Sequence, residues 1–204
     1  MKISFRSVLT AAAALALYGC ISVPQAKAQA ASATAQPIVQ MATHIEGNFL
    51  ALAKAIPADK YDFAPSKEIF KAGSPAEFAT VRTVAQQLTH VAGMPYRMLA
   101  SSGVKPDHEV DFKALNAMTS KDEIVKALQA SFDYQNKVLA TLTPEKAFAP
   151  TGMHNMSMIS MLLMMFNDYG DHYGQLVEYG RMNGIIPPAT ARQMQMHHGA
   201  GSKM

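Results

Sequence analysis

Apolar positions in this chain recur at helical spacing. Over 37–56 they fall at Ile38, Met41, Ile45, Phe49, Leu52 and Ile56, in steps of three and four that draw one helical stripe. Pro57 and Tyr61-Asp62-Phe63-Ala64-Pro65-Ser66 break the period, and the loop continues through Gly73-Ser74-Pro75. A second helix is predicted over about 83–100, with Val84, Leu88, Val91 and Leu99 on or near one face and His90 among them. Pro95 is expected to kink it. After a loop over 103–112, Ser120-Lys121-Asp122-Glu123 has the form of a capping box ahead of Ile124, Leu128, Phe132 and Leu139, and predicts a third helix over 120–142. Pro144 and Pro150 mark the next turn. A fourth helix begins near Asn155 or Ser157 and stops at Gly184, which Pro187-Pro188 follow.

Along that last helix His154, Met158, Met161, Met165, Asp168, His172, Gln175 and Tyr179 share one face. The tail over 189–204 holds Met194, Met196, His197 and His198 without a period and is expected to be loose. No segment alternates as a strand would, and no fixed repeat is visible. The fold class is therefore all-α, a four-helix bundle over 37–188 in one domain.

A methionine stripe at helical spacing is ordinary core packing, and Met158, Met161 and Met165 are read that way. Asp168 and His172 continue the same stripe one turn apart, where an unpartnered carboxylate or imidazole would be costly to bury. Residues at i and i+4 are close enough to hold one metal ion together. His90, inside the apolar pattern of the second helix, is the candidate third ligand from across the bundle. A histidine bonded to a carboxylate simply to orient the core fits the same spacing, so both readings stay open on spacing alone.

The segment Asp168-Tyr169-Gly170-Asp171-His172-Tyr173-Gly174-Gln175, continuing to Tyr179-Gly180-Arg181-Met182-Asn183-Gly184-Ile185-Ile186-Pro187-Pro188, resembles the last helix of the DinB/YfiT-like superfamily, whose pattern is H-x3-H-x-G-Q then Y-x-R-x2-G-x2-P-P. Tyr61-Asp62-Phe63-Ala64-Pro65 and Thr83-Val84-Ala85-Gln86-Gln87-Leu88-Thr89-His90 resemble the family's loop and second helix. The resemblance spans about 40–188. It implies a four-helix bundle holding a divalent metal (zinc, iron or nickel) on three histidines at one end, and it implies relatives that are often dimers. His90 and His172 match two of those ligands, whereas the first histidine of the H-x3-H pair is Asp168 here. Two histidines and an aspartate still make a competent zinc or iron(II) set with open positions; the other reading is a degenerate, empty site. Asp171 is a candidate partner to an imidazole or a substitute ligand. Gly174 and Gln175 match the G-Q, the glycine permitting a close approach and the glutamine a donor to the bundle end, or both merely packing. Arg181 is read as structural, paired with a carboxylate near the helix C-terminus.

Charge and cysteine content bear on location. The 204 residues hold 18 Lys+Arg against 15 Asp+Glu and one cysteine, too few thiols for an internal disulfide or a CxxC pair. Lys2 and Arg6, an apolar run of 11 residues over 8–18, and Ala26-Lys27-Ala28 form a secretory signal layout, with cleavage expected after Ala28. Eleven residues are too few to span a membrane permanently. A competing reading takes Leu17-Tyr18-Gly19-Cys20 as a lipobox that lipidates Cys20, although Tyr18 departs from that motif. Removing Lys2, Arg6 and Lys27 leaves 15 basic against 15 acidic residues, so the mature chain is neutral, loses its only cysteine, and has no basic face for nucleic acid. It is expected to be exported, to the periplasm or as an envelope lipoprotein.

Two function classes follow. One is a non-catalytic metal-binding or stress-related protein of the bacterial envelope; a subsidiary version recruits Met153, His154, Met156, Met194, Met196, His197 and His198 for copper(I). His154 lies about 21 Å along the helix from Asp168, too far to join that site. The other, implied by the resemblance, is a metal-dependent thiol transferase or hydrolase in which the ion activates a thiol or water toward a small-molecule substrate, with Gln175 or Tyr173 orienting it.

Overall fold

The structure, a computed structural model, describes residues 35–69, 72–73, 78, 80–152 and 155–201; residues 1–28, read above as an export signal and containing Cys20, and Met153 and His154 lie outside them. Among the described residues the α-helices are α1 (Gln36–Ala55), α2 (Val84–Met98), α3 (Phe112–Asn116), α4 (Lys121–Ala140), α5 (Pro144–Phe148), α6 (Met158–Met182) and α7 (Pro188–Gly201). They contain no strand, only an isolated bridge between Pro150 and Ser157. Nor is any helix among them long and apolar enough to cross a membrane.

The four long helices enclose one core. α1 packs on α4 and α6, and α2 packs on the same two, so α1 stands diagonally across from α2. Phe49, Phe132 and Tyr169, fully buried, meet at its centre from α1, α4 and α6, with ring centroids 5.7 to 6.4 Å apart in tilted and edge contacts. Burial of each such ring contributes about 2 kcal/mol.

α1 buries a different face from the one its large apolar residues trace. Met41 is 53% exposed, and the inward row is Ala42, Glu46, Phe49, Leu52 and Ala53. Glu46 is tolerated there because its carboxylate accepts from Gln135 Nε2 at 2.6 Å and from Asn136 Nδ2 at 2.9 Å, while the Tyr169 hydroxyl donates to Gln135 Oε1 at 3.0 Å.

Helix starts were only partly legible. Ser120 is the N-cap of α4, but its side chain makes no capping bond, so the expected box with Glu123 does not form. The box is instead at α2, where Thr83 Oγ1 accepts from Gln86 N and Gln86 Oε1 accepts from Thr83 N. The preceding loop completes that start: Phe63 O accepts from Val84 N at 3.0 Å and Tyr61 O from Ala85 N at 2.8 Å, satisfying two of the free N–H groups of the first turn. Pro95 lies inside α2, which ends three residues later at Met98.

At the end of α6 the sequence signals hold, whereas the tail expected to be loose does not stay so. Gly184, at φ 73°, follows α6, with Gly184 N bonded to Arg181 O and Ile185 N to Gly180 O, the two bonds of a Schellman stop. The tail, aperiodic in sequence, is helical as α7; it packs on α1 and Arg192 donates to Asn48 Oδ1 at 2.8 Å. Met194, Met196 and His197 on it are exposed.

Candidate metal centre

The packing of α2 against α6 brings together the three residues singled out from the sequence. His90 comes from α2, and Asp168 and His172 from successive turns of α6. His90 Nε2 lies 3.4 Å from Asp168 Oδ2, and His172 Nε2 lies 3.4 Å from the same oxygen. One ligand atom from each residue falls within 4.8 Å of the other two. Ligands about 2.1 Å from a tetrahedral ion stand about 3.4 Å from one another, so this donor set has the chemistry and the spacing for a divalent ion.

Burial is graded across the cluster. The His172 side chain is 6% exposed, those of His90 and Asp168 32% and 40%. One imidazole is thus anchored in the core while the other two donors sit at a rim that solvent and small molecules reach. Burial lowers the pKa of both imidazoles. For His90, Arg82 and more weakly Arg97 add to the depression and Asp168 opposes it. For His172, Asp168 opposes it, and His90 and Arg82 add to it. Both rings are held in the neutral form that ligates metals.

A residue to which the sequence reading gave no role sets the orientation of His172. Gln87, 2% exposed on α2, accepts from His172 Nδ1 through Oε1 and donates through Nε2 to Gln175 Oε1. The hydrogen on Nδ1 leaves the Nε2 lone pair facing Asp168, as a metal-ligating histidine requires. The legible signal was register: Gln87 is one turn before His90, a polar residue among Val84, Ala85 and Leu88.

The remaining sequence candidates are placed as follows. Among the described residues Gln175 is linked to the centre through Gln87. Asp171 is exposed, and among the described residues it forms no hydrogen bond or ion pair; it acts on His172 only through a weak field. Tyr173 packs its ring on Phe49, 5.4 Å between centroids, against α1 and not over the cluster. Gly174 is exposed with open space where a Cβ would stand, so it permits no close approach. Arg181 pairs with Glu178 at 2.9 Å, the structural role expected of it.

His90, Gln87, Asp168 and His172 all fall within residues 40–176, the stretch that matches the family model of the DinB superfamily. The chain belongs to the DinB superfamily. No curated protein and no solved structure matches it. As a DinB protein it differs from the H-x3-H pattern at one point, and that point, Asp168, is the donor whose single oxygen faces both imidazoles.

Proposed function

We propose that this DinB-superfamily protein binds a divalent metal ion, of the zinc or iron(II) kind, through His90 Nε2, Asp168 Oδ2 and His172 Nε2, in the bacterial cell envelope. The observation that carries the reading is the convergence of three ligand atoms within 4.8 Å of one another, both imidazoles 3.4 Å from Asp168 Oδ2, with His172 oriented by Gln87. The envelope location is supported by the signal layout of residues 1–28. Metal analysis of protein purified without a His tag, beside His172→Ala, is the test. About one equivalent of metal in the wild type and little in the variant is the expected result; equal content in both overturns it.

A second reading, a metal-dependent thiol transferase or hydrolase, is favoured by the exposed rim at His90 and Asp168. When bound, the ion would supply Lewis acidity to a thiol or a water. This chain's residues hold the imidazoles neutral, fix the His172 tautomer through Gln87, and leave one side of the cluster accessible. Turnover of chlorodinitrobenzene with a small thiol, lost in His172→Ala, would establish the enzymatic reading; metal-replete protein without turnover would leave a binder.

A further inference from the structure

Two clefts meet at the rim of the cluster and share His90 and Arg97 as their common wall. One, of about 430 Å³, is polar and lined among others by Arg82, Gln86, Thr89 and Asn116. The other, of about 390 Å³, is lined by Met94, Met98, Met164 and Asp168. The arrangement follows from the register of α2, since Met94, Arg97 and Met98 lie four, seven and eight residues after His90 and so fall on its side of the helix.

Two guanidinium groups stand in the polar cleft. Among the described residues neither Arg82 nor Arg97 forms an ion pair, whereas Arg181 is matched with Glu178 and Lys137 with Asp107. Arg97 is nevertheless held in place. Its Cζ lies 4.3 Å from the Phe112 ring centroid, and the guanidinium covers Gly93 so closely that a Cβ there would collide with Nη1. A positioned arginine without a carboxylate, beside a second one, is the equipment for binding a carboxylate from outside. The three methionines next to it are a deformable apolar surface.

We infer that these clefts bind a small amphipathic organic acid, its carboxylate on Arg97 and Arg82 and its apolar body among Met94, Met98 and Met164. Its place as the substrate pocket of the metal centre rests on the proposed function; recognition of the anion by the two arginines does not. A ligand bound this way lies across His90 and next to the open side of the cluster; Asp168 lines the methionine-bearing cleft and not the polar one, where Arg82 stands.

Calorimetric titration of octanoate into the purified protein, with octanol as the uncharged control, tests this. Octanoate is expected to bind the wild type, and Arg97→Met and Arg82→Met each to weaken it about tenfold or more, the loss of a charge-assisted hydrogen bond. Octanol should bind at least about tenfold more weakly than octanoate, and Arg181→Met should bind octanoate like the wild type. Arg97→Lys, which keeps the charge, should recover part of the affinity; melting curves confirm that each variant is folded. Absence of octanoate binding, equal affinity in wild type and both Met variants, or equal affinity for octanol overturns the inference. The titrations are run with and without added zinc. Octanoate binding that depends on Arg97 in a protein that takes up no zinc would leave the anion cleft standing and overturn the metal reading alone.

Discussion

His172 keeps its Nδ1 hydrogen on the amide oxygen of Gln87, and this contact between α6 and α2 turns Nε2 toward Asp168 Oδ2, 3.4 Å away. The contact orients a donor and joins the two helices whose packing creates the site. If the orientation matters for ligation, Gln87→Met, close in volume but without hydrogen-bonding groups, should weaken zinc binding by about 10- to 100-fold. Competition with a chromophoric chelator measures it. Unchanged affinity would show that packing alone sets the ring. The same variant should lose about 1–3 kcal/mol of stability, because it strips partners from the His172 and Gln175 side chains.

Asp168 contributes one oxygen that faces both imidazoles. Asp168→Asn keeps the shape and removes the charge, and zinc affinity should fall about tenfold or more. Asp168→His, which restores the H-x3-H spacing, should keep one equivalent of zinc and shift preference toward ions that favour imidazole, such as nickel. Metal content and competition binding for the pair of variants decide this; zinc affinity unchanged in Asp168→Asn would mean that position 168 does not ligate.

Burial places the pKa values of His90 and His172 below the ordinary histidine value of 6.5. Protons compete with metal only once the rings titrate, so zinc affinity should stay level from pH 8 to about 6.5 and fall below that. Stability of the metal-free protein should move in the same direction. Between the lowered folded values and 6.5 the unfolded chain binds more protons than the folded one, so stability rises with pH across that window and is lost on acidification. Urea melts of wild type and His172→Ala from pH 5 to 8 test it, the variant showing the smaller slope.

Glu46 titrates with the opposite sign. Burial raises its carboxyl above the ordinary value of 4.5, although bonds from Asn136 and Gln135 pull it down. Above that value the folded protein holds the proton more tightly than the unfolded chain does, so stability falls as pH rises through the folded value. Glu46→Gln, a stand-in for the protonated form, should therefore gain on the wild type as pH goes from 4.5 to 7.5. A difference between the two proteins that does not change with pH would show that Glu46 keeps its ordinary titration.

Much of the helical layout was readable because helix formation is written locally. Steps of three and four residues located α1, α2, α4 and α6, and Gly184 before Pro187-Pro188 marked the end of α6, since a left-handed residue suits the stop and proline cannot continue it. The errors also have physical causes. Large apolar residues drew the stripe of α1 through Met41, but the inward face includes Glu46, whose burial is possible only because Gln135 and Asn136 on α4 supply donors. Ser120 has the sequence of a capping box and Thr83 one with glutamine in place of glutamate; only at Thr83 do the side chains adopt it. The period-free tail forms α7, tied to α1 by contacts distant in sequence.

The same division holds at the site. Sequence alone determined that Asp168 and His172 lie one turn apart on one helix, because an α-helix repeats every 3.6 residues, and it marked His90 as an imidazole in an apolar run. Only the tertiary structure decided that α2 meets α6 in the register that brings His90 within 3.4 Å of Asp168, that Gln87 orients His172 from 85 residues away, and that Arg82 and Arg97 line one cleft, neither in an ion pair among the described residues. Helix period is a property of neighbouring residues, whereas the register of one helix on another is set by the packing of the whole core.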